Sequence, residues 1–331
     1  MKAMILKKQG ILNPNSLELE YVDIPKINYN EVLIKIKACG VCHTDLHEIE
    51  GDLRIENFPI IPGHEIIGIV SKIGNGVKNL KVGDRVGISW LYSSCENCKY
   101  CLRNQQNLCL DAKFTGYSVN GGYTEYIKIN SNYAYKIPDV FSDLEAAPLM
   151  CAGVIGYRSI KLSELKSGET IGLFGFGASA HIVIQIAKHW NCDVFVFTRS
   201  KNHQEHALEL GAKWVGNIKD QPPKKIDRGI IFAPVGEIVV NALNFLNSGG
   251  TLAINAIHMS DIPSFKYSLL WHERKIISVA NVTRNDAIEF LELAGKIPIK
   301  TNIVSYKLED VNFALLDMKM SKINGAAVLK I

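Results

Sequence analysis

The chain has 331 residues, of which 47% are apolar, 21% charged and 8% aromatic, an ordinary globular composition with apolar material for about two domains. Against 33 acidic residues stand 37 basic ones, a net charge of +4 spread without a basic block, which argues against nucleic acid or a membrane surface as partner. No segment has the apolar length to span a bilayer, and the start, Met1 to Lys7, has a charge where a signal peptide would continue its apolar run, so the expected location is cytoplasmic.

Short strands broken by Gly, Pro and Asn fill the first half: 31–38, 68–74 and 85–88, with turn signals at Gly74-Asn75-Gly76 and Gly83-Asp84 and a further strand pair opening at Gly121-Gly122-Tyr123. This pattern suits a partly open β-barrel. Near Pro148 the character changes. Strands at 170–174, 193–198, 229–233, 251–256 and 276–282 alternate with helical stretches, among them 178–190 and 203–210, the second stopping at Gly211. Such alternation predicts an α/β fold with a doubly wound parallel sheet. Strands at 302–306 and 326–330 around a helix at 311–320 return to the first domain. The expected domains are 1–152 with 290–331, and 153–289.

Eight cysteines in a reducing compartment are not expected to form disulfides. Four of them, Cys95-x2-Cys98-x2-Cys101-x7-Cys109, crowd one loop, the lobe 95–109. Four thiolates satisfy a tetrahedral zinc ion completely, which makes a structural site. The iron–sulfur alternative uses a shorter last gap followed by proline; here the gap is seven and Leu110 follows.

Three further segments bring metal-ligand chemistry from distant parts of the chain: Cys42-His43-Thr44-Asp45-Leu46-His47, Gly63-His64-Glu65 and Met150-Cys151-Ala152-Gly153. Two thiolates and an imidazole beside an open fourth position make a catalytic zinc set, for which alcohol dehydrogenase is the standard example. Cys39 forms a Cys-x2-Cys pair with Cys42, and spacing alone does not choose between them. After the strand at 170–174 comes Gly175-Phe176-Gly177-Ala178-Ser179-Ala180 and then a helix, the dinucleotide fingerprint in its required setting. Gly175 permits the turn, Gly177 admits the pyrophosphate, Ala180 allows close helix packing, and the N–H groups from Ala178 onward face the phosphates.

These motifs, in this order and over nearly the whole chain, resemble the zinc-containing medium-chain alcohol dehydrogenases of bacteria and archaea. The resemblance implies a GroES-like barrel domain beside a Rossmann domain, with the active site in the cleft between them. It implies a catalytic zinc on Cys42, His64 and Cys151 and a structural zinc on Cys95, Cys98, Cys101 and Cys109, two ions per chain. Reversible hydride transfer between a primary alcohol or aldehyde and a nicotinamide cofactor follows, the alcohol proton leaving through Thr44 and, by way of the cofactor ribose, His47. Asp45 and Glu65 would orient ligands, with loop capping as the plainer role, and Trp90 and Tyr92 fall where the family lines its substrate pocket, unless they are core aromatics. Relatives are commonly tetramers, so a homo-oligomer is expected.

Two departures bear on the cofactor. NAD-using relatives carry an acidic residue at the end of the second Rossmann strand, where this chain has Thr198-Arg199-Ser200, so NADP(H) is expected over NAD(H). Many relatives have an arginine after Ile-Asn-Gly that reaches the pyrophosphate; here Ala326 follows Ile323-Asn324-Gly325, and backbone and other groups must serve. The competing functions are a zinc-free quinone or enoyl reductase of the same superfamily and a non-catalytic zinc or Fe–S protein. Retention of Cys42, His64 and Cys151 argues against the first, and the glycine turn with Thr44 and His47 against the second.

Overall fold

The computed structural model of the chain describes residues 1–323 and 325–331; Asn324, part of the motif before Ala326, lies outside the described residues. The chain divides into two units, Met1–Val154 with Asn281–Ile331, and Ile155–Ala280.

In the first unit one long strand, Glu31–Val41, organises a seven-stranded sheet. Its alternating Val32, Ile34 and Ile36 are buried, as period-two patterning requires. It pairs antiparallel with Glu65–Ile73 on one side. On the other side Tyr126–Asn130 covers its first half and Ala326–Lys330 its second. The register against Glu65–Ile73 shifts between Leu33 and Ile34 and between Ile36 and Ala38, irregularities that bend paired strands as bulges do. The C-terminal strand thereby lies directly against Gly40 and Val41, next to the first candidate ligand.

The second break falls at 280/281 rather than 290. Helix Arg284–Ala294, capped by Thr283 and Asp286, belongs whole to the first unit. Its buried Phe290 fills the space over Gly153, where a Cβ would stand 2.5 Å from the ring.

The second unit is a six-stranded parallel sheet in the order Trp214–Gly216, Asp193–Phe197, Thr170–Phe174, Ile226–Ile231, Leu246–Ile254, Lys275–Ser278. Counted along the chain this order is 3-2-1-4-5-6, the doubly wound arrangement whose switch point lies between strands 1 and 4. Phe174 is level with Phe197 on one side and Ile231 on the other, so Gly175 and Thr198 emerge at one edge. The core is a run of stacked rings, Phe174 on Phe197 at 4.4 Å and Phe197 on Phe245 at 5.2 Å. Sequence patterning left out the hairpin Lys2–Ile5 with Glu18–Tyr21, the short Trp214–Gly216 strand and the helices Ala152–Ser163 and Gly236–Phe245. The last of these carries a buried apolar face with β-branched residues, which periodicity does not separate from a strand. Among the described residues no helix is long and apolar enough to cross a membrane.

Candidate active site

Three chain segments converge in the first unit. The long strand ends at Val41, and Cys42 caps helix His43–Glu50. A cap residue needs its backbone donors and acceptors closed locally; here Asp45, three residues on, accepts the Cys42 N–H through Oδ2 at 2.7 Å. The same Oδ2 accepts the Tyr123 hydroxyl at 2.8 Å, and Oδ1 lies 3.2 Å from His64 Nδ1. Asp45 is fully buried, so this one carboxylate ties together the helix cap, the tyrosine and the candidate imidazole ligand.

Glu65 is the cross-strand partner of Gly40, and its carboxylate occupies the space a Cβ there would take, 1.8 Å from Oε2. Cys151 sits between a 3-10 turn, Ala147–Met150, and helix Ala152–Ser163. Ligating atoms of Cys42, His64, Glu65 and Cys151 all lie within 4.8 Å of one another. Cys39 stands apart, its Sγ against Gly122 and the Gly40 carbonyl. Of the two cysteines that spacing left open, Cys42 is the one grouped with His64 and Cys151.

The donor set suits a tetrahedral zinc ion. Cys42 Sγ and Cys151 Sγ are 3.8 Å apart, and bonds of about 2.3 Å place tetrahedral sulfurs about 3.8 Å apart. His64 is buried, and among the described residues its Nε2 has no hydrogen-bond partner while Nδ1 is held by Asp45; a buried nitrogen left bare fits a ligand. Of the three donors only Cys42 is shifted toward its ligating form; the upward shifts of Cys151 and His64 favour their protonated forms, which a bound cation would have to reverse. The hydrogen bond with Cys151, reinforced by His64, holds the Cys42 thiol well below its usual range. The same bond, with burial, pushes Cys151 up. Burial alone would lower His64, but Asp45 and Cys42 outweigh it and raise it. Burial, followed by the Cys42 charge, raises Glu65.

The second cysteine group closes on itself. Sγ of Cys101 is 3.8 Å from that of Cys95 and 3.6 Å from that of Cys98, and all four sulfurs lie within 4.8 Å of one another. Backbone N–H groups of Cys95 and Cys98 donate to the sulfurs of Cys109 and Cys95, each at 3.4 Å. All eight cysteines are free. These separations match one tetrahedral ion; a cluster that gives each cysteine its own iron would hold the sulfurs farther apart.

In the second unit, Gly175 has φ +94°, a conformation glycine adopts without strain. Gly177 caps helix Ala178–His189, and a Cβ there would meet no atom within 4 Å. The open space beside the unpaired N–H groups of the first turn fits a pyrophosphate. Ala180 is fully buried. At the same sheet edge Thr198 donates its N–H to Gly216, Arg199 is exposed, and Ser200 caps helix Lys201–Glu209 by accepting the His203 N–H at 3.4 Å.

Family models match both halves of the chain: "Alcohol dehydrogenase GroES-like domain" over residues 28–139 and "Zinc-binding dehydrogenase" over 180–296. "Probable alcohol dehydrogenase AdhA" of Mycobacterium tuberculosis is 42% identical over 337 residues, covering 100% of this chain and 97% of that one. An alcohol dehydrogenase of Geobacillus stearothermophilus is 39% identical over 98% of this chain and 99% of its own. The chain belongs to the zinc-containing medium-chain alcohol dehydrogenase family. It is an NAD(P)-dependent alcohol dehydrogenase, and a non-catalytic metal protein is thereby set aside. Among solved structures, CAD from Helicobacter pylori complexed with NADP(H) superposes with a TM-score of 0.87 at 26% identity, covering 100% of this chain and 99% of that one.

The remaining residues of the dehydrogenase divide. Thr44 Oγ1 is 3.7 Å from Cys42 Sγ, inside the ligand region. His47, one turn on, is partly exposed and its Nδ1 lies 2.7 Å from Asp52 Oδ2. Trp90 stacks on Phe114 at 4.4 Å and meets His64 edge-on at 6.4 Å. Tyr92 is not brought to the site. Its hydroxyl donates to the Lys128 carbonyl at 2.9 Å, and it lines a separate cavity of about 350 Å³ with Ile5, Ile61 and Ile127. The register shift between Leu91 and Ser93 puts a bulge at Tyr92 that re-aims it. Sequence reasoning missed Tyr123 and Glu48. Tyr123 is 78 positions from the carboxylate it serves, beyond any local pattern. Glu48 is fully buried, and burial, with the Asp45 charge, pushes its carboxyl well up. A carboxylate among apolar positions on the inner helix face was the available signal.

Proposed function

We propose that this chain interconverts primary alcohols and aldehydes with NADP(H) as preferred cofactor, using one catalytic and one structural zinc ion. The observation that carries the reading is His64: a buried imidazole, oriented by Asp45 through Nδ1, whose bare Nε2 faces two cysteine sulfurs at tetrahedral spacing. Cys42, His64 and Cys151 would hold the catalytic ion and leave a position to substrate, with Glu65 a further donor in the same group; Cys95, Cys98, Cys101 and Cys109 would hold the structural one. Bound zinc supplies Lewis acidity, lowering the pKa of an alcohol hydroxyl and polarising an aldehyde carbonyl.

The chain's own groups do the rest. Asp45 keeps the proton of His64 on Nδ1, so Nε2 stays a ligand. Thr44 takes the alcohol proton through its hydroxyl. His47, at i+3 on the same helix face, is the exit base toward solvent, and its contact with Asp52 supports that orientation. A bound nicotinamide would accept hydride from the alcohol carbon, so that loss of one C–H and one O–H bond balances formation of the C=O bond. The glycine turn holds the pyrophosphate, and Arg199, which makes no ion pair among the described residues, supports recognition of a 2′-phosphate. Free cysteines support a cytoplasmic setting, and the edge strand Lys275–Ser278 with exposed Ile277 supports a homo-oligomer.

Metal analysis of the purified protein tests the assignment. Two zinc ions per chain are expected, falling to one in His64→Ala with turnover lost. One zinc in the wild type, or turnover surviving in His64→Ala, would overturn it in favour of a zinc-free reductase.

A further inference from the structure

Helix His43–Glu50 carries a second functional-looking side chain one turn beyond Thr44. Glu48 lies at i+4 from it, on the same face, and is fully buried. Burying a carboxyl group is unfavourable unless something is gained from it; a Glu48 carboxylate oxygen lies within 4.8 Å of His64 and Asp45, whose charges act on it in opposite senses, and among the described residues it forms no Lys or Arg ion pair. Its one side-chain hydrogen bond among the described residues is to Trp90, whose indole Nε1–H donates to Oε1 at 3.2 Å; Oε2 has no partner. A leucine or methionine would fill the same volume without the desolvation penalty, so the contact with Trp90 is what distinguishes Glu48 from an ordinary core residue.

Trp90 stands where its orientation matters. One ring face is stacked on Phe114 and Tyr117 tilts against it at 5.9 Å, while the ring meets His64 edge-on at 6.4 Å. It precedes a three-residue strand with a register shift, which constrains side-chain direction weakly. Stacking fixes the plane of the indole but not which edge points toward His64. The N–H bond to Glu48 supplies that choice.

We propose that Glu48 is a positioning residue for substrate specificity: by accepting the indole N–H it fixes the Trp90 ring beside His64 and so limits the site to short, unbranched alcohols. This rests on Trp90 being a wall of the substrate space.

The test compares Glu48→Met, Glu48→Gln, Trp90→Phe, Trp90→Ala and the double variant Glu48→Met with Trp90→Phe. Zinc content is measured for each, with kcat and KM for ethanol, butanol and benzyl alcohol. In parallel, indole N–H resonances of the holoenzyme are recorded; the chain has four tryptophans, and the Trp90 signal is the one lost in Trp90→Phe. Glu48→Met should move that signal and raise KM for ethanol relative to benzyl alcohol about threefold to tenfold, the range of one hydrogen bond, with kcat within about twofold. Glu48→Gln, whose amide oxygen accepts the same N–H, should keep the wild-type profile. In the Trp90→Phe background Glu48→Met should add nothing. An equal, additive effect in that background, or an unmoved Trp90 signal in Glu48→Met, overturns the role of Glu48. If Trp90→Phe and Trp90→Ala both leave the substrate profile unchanged, the wall reading fails, and the proposal with it. Should Glu48→Met not fold, Glu48→Asp, which withdraws the acceptor by one methylene, carries the same expectations.

Discussion

Replacing Asp45 by asparagine keeps the shape of the buried hub and changes its hydrogen-bond polarity. The carboxylate accepts from Cys42 N at 2.7 Å and Tyr123 Oη at 2.8 Å through Oδ2, and faces His64 Nδ1 at 3.2 Å through Oδ1. In Asp45→Asn the amide oxygen must serve the first two donors, so the NH2 group faces Nδ1. Two donors cannot share that contact, and the His64 proton moves to Nε2, the nitrogen assigned to zinc. The same logic makes an Asp-to-Asn change disable a catalytic histidine elsewhere. Loss of one charge-assisted hydrogen bond, about 1.5–3 kcal/mol, corresponds to roughly 10- to 150-fold in affinity, in line with the 10–100-fold typical of groups that orient metal ligands. The assay is chelator-driven zinc release followed with a metal indicator. The cysteine lobe supplies an internal reference, since Asp45 does not touch it. Asp45→Asn should lose its catalytic zinc about 10- to 100-fold more readily at unchanged lobe occupancy, with turnover falling in step. Wild-type retention of both ions together with wild-type turnover would refute the tautomer argument.

Thr44→Val should cut alcohol oxidation by about 10²- to 10⁴-fold, the range of positioned proton transfer, at unchanged zinc content; a zinc-replete variant of normal rate removes Thr44 from the relay. Thr198→Asp with Arg199→Ile should shift kcat/KM from NADPH toward NADH by roughly 10- to 150-fold, and a wild type that already prefers NADH tenfold contradicts the assignment of those residues. In zinc-stripped protein the Cys98 thiol, lowered to about 7 by hydrogen bonds from the Cys101 backbone, should alkylate first, its rate rising as pH climbs through about 7 because the thiolate is the nucleophile. Cys109, pushed up to about 12 by burial, should lag at neutral pH; the reverse order, read by peptide mass mapping, would contradict the geometry of the lobe.

Short-range information carries much of this molecule. Four cysteines within fifteen positions can meet whatever the rest of the chain does, so spacing sufficed to mark the lobe. The glycine turn likewise needs only a strand before it and a helix after it, and the barrel-then-Rossmann order follows from a change of hydrophobic period. The other features depend on closure over distance. Cys42 and Cys151 are 109 positions apart and meet only because the sheet and the 3-10 turn bring their segments together. That Cys42 rather than Cys39 lies beside His64 and Cys151 depends on the turn from the strand end at Val41 into the helix that Cys42 caps, once the sheet has formed. Tyr92 leaves the site because of a bulge that no residue type announces. Tyr123 closes the hub of Asp45 from the bend before strand Tyr126–Asn130, and the contact of a charged residue at 48 emerges only when Trp90 folds over it. Local patterns determine which elements form, because propensity and turn chemistry act over a few residues. Which side chains share a buried volume depends on register, bulges and packing between segments far apart in the chain, and there only the tertiary structure decides.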